Sequence, residues 1–248
     1  MFNCRICVAG HTSAMPMVLA QLKLRGFSVT QAASGDATHL LLPVPAFDPD
    51  GKVRGGGAVE ELLSCLREDV TVIGGNLQHP ALDGYSRVDL LEDPFFVAQN
   101  ANITAHCALR MILHALPCIP ERCPMLVIGW GRIGKCLARL LRQVGAKVTV
   151  AARKASDRAM LSALGYSSLD TVGLDPIGFR VIVNTVPQMM LQDCDTDAYL
   201  LDLASKPGLS GDSVVWARGL PAKLAPESTA HLIAHTVTRI LTDREVPL

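Results

Sequence analysis

The sequence has no charge imbalance: across 248 residues, 23 Lys and Arg stand against 23 Asp and Glu. It has no acidic or basic tail, so it lacks the electrostatic footprint of a dedicated nucleic-acid-binding protein. No uninterrupted apolar run approaches the roughly 18–20 residues needed to cross a bilayer. The opening MFNCRICVAGH is too short an apolar run and lacks a basic flank, so no secretory leader is expected. There is neither a solenoid-type repeat nor a low-complexity tract. These absences lead to the expectation of a cytoplasmic protein with no nucleic-acid and no membrane partner. What is abundant is apolar: 49% of the residues are hydrophobic, in a chain long enough for one large domain or two ordinary ones. A substantial core can form, and global disorder is excluded.

Eight cysteines raise the question of metal or disulfides. Cys4 and Cys7 make a C-x-x-C, but on a run that reads as the first strand, where residues three apart point to opposite faces. Cys118 and Cys123 flank IPER with no second pair at zinc-like spacing. Buried free thiols in a reducing compartment are the expectation, and no metal is.

Apolar runs and helical spacing alternate along the whole chain. Strands are expected over 6–10, 27–32, 39–44, 70–73 and 87–91, with helices over 14–25 and 58–67. A second series begins near Asn100, with a connecting helix over 104–116 that ends before Pro117. Strands follow at 125–128, 147–151, 181–186, 199–204 and 214–218, and helices at 132–144 and 155–164. A last helix starts at Pro226, with Glu227 favourable in its first turn, and runs to about Thr242. The expected fold class is therefore α/β, two Rossmann-like parallel-sheet domains with an interdomain cleft. The first domain would be an N-terminal α/β substrate-side unit, 1–99, completed by the C-terminal helical segment 226–248. The second, 100–225, would be the nucleotide-binding domain.

The nucleotide assignment rests on Gly129-Trp130-Gly131-Arg132-Ile133-Gly134, a G-x-G-x-x-G between an apolar strand and an amphipathic helix. Gly129 permits the tight turn, Gly131 lets a diphosphate approach the backbone, and Gly134 lets the helix pack on the strand. The helix amides, including those of Arg132 and Ile133, then point at phosphate. Ile133, Leu137, Leu140, Leu141 and Val144 are expected on the buried face, with Arg132, Arg139 and Arg142 toward solvent. The next strand ends in Ala151-Ala152-Arg153-Lys154, with no carboxylate for the ribose hydroxyls of NAD. Arg153, with Lys154 and Ser156, could instead meet a 2′-phosphate, which favours NADP; the alternative is a solvated basic turn. Two further strand ends, Asn184-Thr185-Val186-Pro187 and Asp202-Leu203-Ala204-Ser205-Lys206-Pro207-Gly208, fall where ligands line open α/β sheets.

Taken together, these motifs resemble the A subunit family of dipicolinate synthase. The shared features run in order: THLLLPVP (38–45), N-x-x-x-T-A (100–105), GWGRIG followed by AAR, NTVP, LDLASKPG and GLPAKLAP (219–226). The family is related to two-domain 2-hydroxyacid dehydrogenases and adenosylhomocysteinase. The chain departs from its pattern at His11-Thr12-Ser13, at His106-Cys107 after Thr104-Ala105, and at Ala222 and Glu227-Ser228-Thr229. The resemblance implies an NADP-linked oxidoreductase of sporulation that oxidises dihydrodipicolinate, a small dicarboxylate, to dipicolinate. A flavoprotein B subunit would be its partner, and a homo-oligomer is an open expectation because two-domain relatives are often dimeric or larger.

On that reading Asn184, Thr185, Val186, Pro187, Ala204 and Ser205 lie near the cofactor, with Asn184 and Lys206 as catalytic candidates. Asn102 and Thr104 would meet substrate, and His106 would accept the proton; the alternative for His106 is an ordinary helix-face histidine. Lys52 and Arg54 could meet the substrate carboxylates or form a solvated basic loop. Two other functions stay open. One is a 2-hydroxyacid dehydrogenase-like enzyme, for which His231 and His235 lack an evident acidic orienter. The other is a non-catalytic NADP-binding regulatory protein.

Overall fold

Short aliphatic runs without polar alternation form the strands, the pattern of strands covered on both faces. In the computed structural model, which describes residues 4–193 and 196–242, these runs build two separate parallel sheets. The chain divides accordingly into two units, Met1–Asn100 with Pro221–Leu248, and Ala101–Leu220.

The first unit contains β1 (Arg5–Val8), α1 (Met15–Leu24), β2 (Ser28–Thr30), β3 (His39–Leu41), α2 (Val59–Ser64), β4 (Thr71–Gly74) and β5 (Ser86–Asp89). Its strand order is β2-β1-β3-β4-β5, every pair parallel. That is the 2-1-3-4-5 doubly wound order. Leu40, Leu41, Val72 and Ile73 are fully buried at its centre, each adding roughly 1.5–3 kcal/mol of apolar burial. The strand expected over 39–44 is shorter, because Pro43 has no amide to give to a ladder. The C-terminal helix α7 (Pro226–Thr242) packs on α1 in this unit. Residues 243–248 of the expected helical segment lie outside the described residues.

Helix α3 (Pro94–Ala115) is ten residues longer at its start than the helix expected over 104–116. Asp93 begins it: its carboxylate accepts the Phe96 amide at 2.8 Å and pairs with Arg239 of α7, while Pro94 occupies the first turn. An Asp-Pro start is a recognised N-terminal signal, here masked by the weak helix formers Asn100, Asn102 and Thr104.

The second unit runs β6 (Pro124–Ile128), α4 (Arg132–Gln143), β7 (Lys147–Ala151), α5 (Ala155–Ala163), β8 (Ser167–Leu169), β9 (Val181–Asn184), β10 (Tyr199–Asp202) and β11 (Val214–Trp216). A five-residue helix α6 (Leu220–Leu224) follows. Read from one edge the order is β8-β7-β6-β9-β10-β11, all parallel, the 3-2-1-4-5-6 order of dinucleotide-binding sheets. The order reverses between β6 and β9, and there the strand ends open a crevice. Strand β8 and helix α6 had no expectation, being too short to show a period. On α4 the buried face is Gly134, Leu137, Ala138, Leu140 and Leu141; Ile133 and Val144, expected there, are half-buried. The small residues Gly134 and Ala138 carry the closest packing instead.

Seven cysteines among the described residues are free; Cys7, Cys107 and Cys123 are buried, whereas Cys65 and Cys118 are exposed, against the expectation of burial. Burial pushes the Cys7, Cys107 and Cys123 thiols above their ordinary pKa. No helix among the described residues is long and apolar enough to cross a membrane.

Candidate dinucleotide site

The three glycines of the turn after β6 have different surroundings. Gly129 has φ +106°, and a Cβ there would stand 2.4 Å from Thr185 Oγ1 and 2.9 Å from Val186 Cγ2. Gly134, in the first turn of α4, would put a Cβ 2.1 Å from the carbonyl oxygen of Gly129. Gly131 is in extended backbone (φ −82°, ψ −170°), and among the described residues, its chain neighbours aside, no atom lies within 4 Å of where its Cβ would be. Gly131 also precedes α4 without any side-chain cap, so the first amides of that helix are left for an anion. The open position, the tight turn and the close helix contact are the three requirements of a diphosphate cradle.

A cleft of about 640 Å³ opens beside this turn, within the ~300–1,000 Å³ typical of ligand pockets. Gly129 and Gly131 of the turn, Arg153 and Lys154 after β7, and Val186 and Pro187 after β9 all line it. All six are residues expected at the cofactor, and the fold brings them together. Six lining residues fall outside the motifs: Asp157 of α5, Thr171 and Val172 after β8, and Gln188, Met189 and Met190 after Pro187. Only the run after Pro187 had a signal, its adjacency to a strand end. Arg132 is exposed and Ile133 half-buried at the start of α4.

The basic wall is held from beneath. Arg158 donates to the carbonyls of Ala152 (2.7 Å) and Arg153 (2.9 Å), and pairs with Asp170 at 2.9 Å. This fixes the backbone of the β7–α5 turn while the Arg153 and Lys154 side chains stay exposed. Asp157 also lines the cleft, at a helix start where the dipole favours a carboxylate.

At the β9 and β10 ends the polar residues divide into buried and free. Thr185 donates to the Ile128 carbonyl at 2.9 Å. Asn184 is fully buried; its amide donates to Val186 O and Asp202 Oδ1, both at 2.9 Å, and its Oδ1 accepts the Val186 amide at 3.0 Å. These bonds engage both polar atoms of the Asn184 side chain and shape the loop after β9. Ala204 is buried, whereas Ser205 and Lys206 are exposed, and the side chains of these two make no hydrogen bond or ion pair among the described residues.

The other expected residues are not among those lining this cleft. On α3, Thr104 is buried, Asn102 half-buried and His106 exposed. Lys52 and Arg54 belong to the first unit; both are exposed, and Arg54 Nε donates to the Phe47 carbonyl at 2.9 Å. His235 is buried in α7 and stacks on Phe95 at 5.2 Å, and His231 lies 6.5 Å from it. Among the described residues no three His, Cys, Asp or Glu side chains group to hold a metal.

The strand order and the glycine cradle define a Rossmann-type dinucleotide fold of the dehydrogenase kind. No family model matches the chain. Its sequence is related to the dipicolinate synthase A subunit of Bacillus subtilis (strain 168), 29% identical over 132 residues. That stretch spans 47% of this chain and 44% of the relative, less than half of the relative's length. The fold is that of the same subunit. The solved dipicolinate synthase A subunit from Bacillus halodurans superposes with a TM-score of 0.87 at 20% identity, over 98% of this chain and 99% of the other. Its Bacillus subtilis counterpart gives 0.81 at 19% identity, over 98% and 97%. A transhydrogenase from Sinorhizobium meliloti gives 0.70 at 12% identity, over 96% and 94%.

Proposed function

We propose that the chain is an NADP-linked oxidoreductase that oxidises dihydrodipicolinate to dipicolinate together with a flavoprotein B subunit. The observation that carries the cofactor is the wall formed by Arg153 and Lys154 at the end of β7, where a carboxylate would hold the ribose of NAD. The substrate and the partner come from the similarity to the dipicolinate synthase A subunit.

Gly131 and the start of α4 would take the diphosphate, and Arg153 with Lys154 the 2′-phosphate. When bound there, a nicotinamide would supply hydride acceptance; the dihydropyridine ring would give up one hydride to it and one proton to solvent or a base, and become aromatic. Because aromatisation drives the step, the chain's task is to align the ring and bind two carboxylates. Ser205 and Lys206, exposed in the turn after β10, are the polar groups proposed to face the nicotinamide. Asn102 and Thr104, with Lys52 and Arg54, are proposed on the resemblance alone. His106 as proton acceptor also rests on the resemblance alone; its exposed position on α3 equally fits an ordinary helix-face histidine.

The test is titration with NADPH and NADH, followed by NADP+ reduction with freshly generated dihydrodipicolinate, with and without the B subunit. NADPH binding with turnover is expected. Binding without turnover in either mixture sinks the synthase reading, and preferential NADH binding overturns the role of Arg153.

A further inference from the structure

The turn after β10 is held from both sides. From inside, Asp202, which is fully buried, accepts the amides of Ala204 at 2.9 Å, Gly208 at 2.6 Å and Leu209 at 3.0 Å, besides the Asn184 amide. Gly208 is locked in this knot, since a Cβ there would stand 2.3 Å from Asn184 Nδ2 and 2.6 Å from the Gln188 carbonyl. From outside, the Trp216 indole donates to Ala204 O at 3.0 Å, and Arg218 donates to Ser205 O at 2.7 Å. The Arg218 guanidinium also lies over the Trp216 ring, 5.3 Å from its centroid. Trp216 is exposed and Arg218 lies at the surface beside it, so their role is not to fill the core. The backbone of the turn is thus pinned on two sides, while the Ser205 hydroxyl and Lys206 ammonium have no partner among the described residues.

A sheet of order 3-2-1-4-5-6 binds each half of a dinucleotide over its own three strands. Arg153 ends β7, in the half formed by β6, β7 and β8, which assigns that half to the adenosine side. The half formed by β9, β10 and β11 is left for the nicotinamide. We infer that Asp202, Trp216 and Arg218 are positioning residues that fix the turn carrying Ser205 and Lys206 for the nicotinamide half. This rests on the dinucleotide reading above.

Calorimetric titration of the full chain tests it, using NADPH against 2′,5′-ADP and NADH against 5′-AMP, with unfolding midpoints alongside. Arg218→Ala and Trp216→Phe are expected to weaken the whole dinucleotide about five- to tenfold, the size of one lost hydrogen bond. The adenosine-half ligand should bind unchanged, and Arg218→Lys, which still donates to Ser205 O, should restore the affinity. Parallel loss of the half ligand, or no loss of the whole one, overturns the inference and marks a purely structural clamp. If the unaltered chain binds neither dinucleotide, the cofactor reading fails and takes the inference with it. If it prefers NADH, only the 2′-phosphate assignment falls, and the NADH and 5′-AMP pair decides the question.

Discussion

Alanine at two glycines of the same turn should have opposite effects. At Gly134 an added Cβ meets the Gly129 carbonyl oxygen at 2.1 Å, far inside contact distance, and the obstacle is backbone already fixed by a positive φ. Helix α4 must move off β6, so the cost should reach the upper end of overpacking, about 3 kcal/mol. For a chain of this size that lowers the unfolding midpoint by roughly 6–12 °C. At Gly131 the same methyl enters open space in a backbone conformation that alanine adopts freely. Stability should be unchanged or rise by about 0.4–1 kcal/mol, because the unfolded chain loses freedom. The methyl nevertheless stands where the diphosphate must approach, so dinucleotide affinity should fall by more than about tenfold, ~1.4 kcal/mol. Thermal unfolding followed by circular dichroism reads the first effect, and calorimetric titration with NADPH the second. A Gly131→Ala protein that binds like the parent would refute the assignment of this turn to diphosphate. One that melts as early as Gly134→Ala would refute the separation of the two roles.

Three other perturbations follow from the geometry. Arg153→Ala should weaken NADPH about 10- to 100-fold, the range of charge-assisted hydrogen bonds, and leave NADH binding unchanged in the same titration. Equal losses for both nucleotides would remove Arg153 from the 2′-phosphate. Asp93→Ala takes away the cap of α3 and the partner of Arg239, and should cost about 1–2 kcal/mol by urea unfolding. Asp93→Asn keeps the cap and should lose less; an equal loss would mean the ion pair dominates. His39, beside Thr38 Oγ1 at 2.8 Å, is held by burial below the ordinary histidine pKa. The unfolded chain therefore takes up that proton at higher pH than the folded one. Stability from this group is full above the usual histidine range, near ~6.5, and is lost as pH falls through it toward the folded value. His39→Gln should flatten the urea midpoint between about pH 7 and 5, and an unchanged slope would show that the imidazole does not contribute.

Much of the architecture could be read from pattern because parallel strands buried on both faces leave unbroken aliphatic runs. LVI at 126–128 and VIV at 181–183 are such runs, and every residue in them is buried. Boundaries were legible only where a residue enforces them. Pro226 starts α7 where expected, and Lys147–Ala151 is a strand with the bounds anticipated. Pro43, by contrast, cut short a run that hydropathy alone extends to Val44. The edge strand β8, Ser-Ser-Leu, has no pattern of its own and exists because the exposed side of β7 is available to pair. The first turns of α3 were hidden for a different reason: Asn100 and Asn102 are poor helix formers, and a tertiary contact between Asp93 and Arg239 overrides them.

Site residues were less legible, and the reason is visible at the ends of β9 and β10. Asn184, Asp202, Ser205 and Lys206 look alike in sequence, each a polar residue at or just past a strand end. In three dimensions Asn184 and Asp202 lie side by side on adjacent strands, and between them they take up the amides of Val186, Ala204, Gly208 and Leu209. A polar side chain buried that deeply needs such a set of donors, and Asp202 has them within the chain. Ser205 and Lys206 have no such partners among the described residues, and both are exposed. The same division applies at β7, where Arg158 is used up on two carbonyls and Asp170 while Arg153 is not. No spacing rule distinguishes Arg153 from Arg158, because the carbonyls and the carboxylate that consume one and spare the other come from different elements. Polar residues at the ends of parallel strands therefore mark where a site is, and only the count of donors and acceptors already satisfied tells which of them remain to do chemistry.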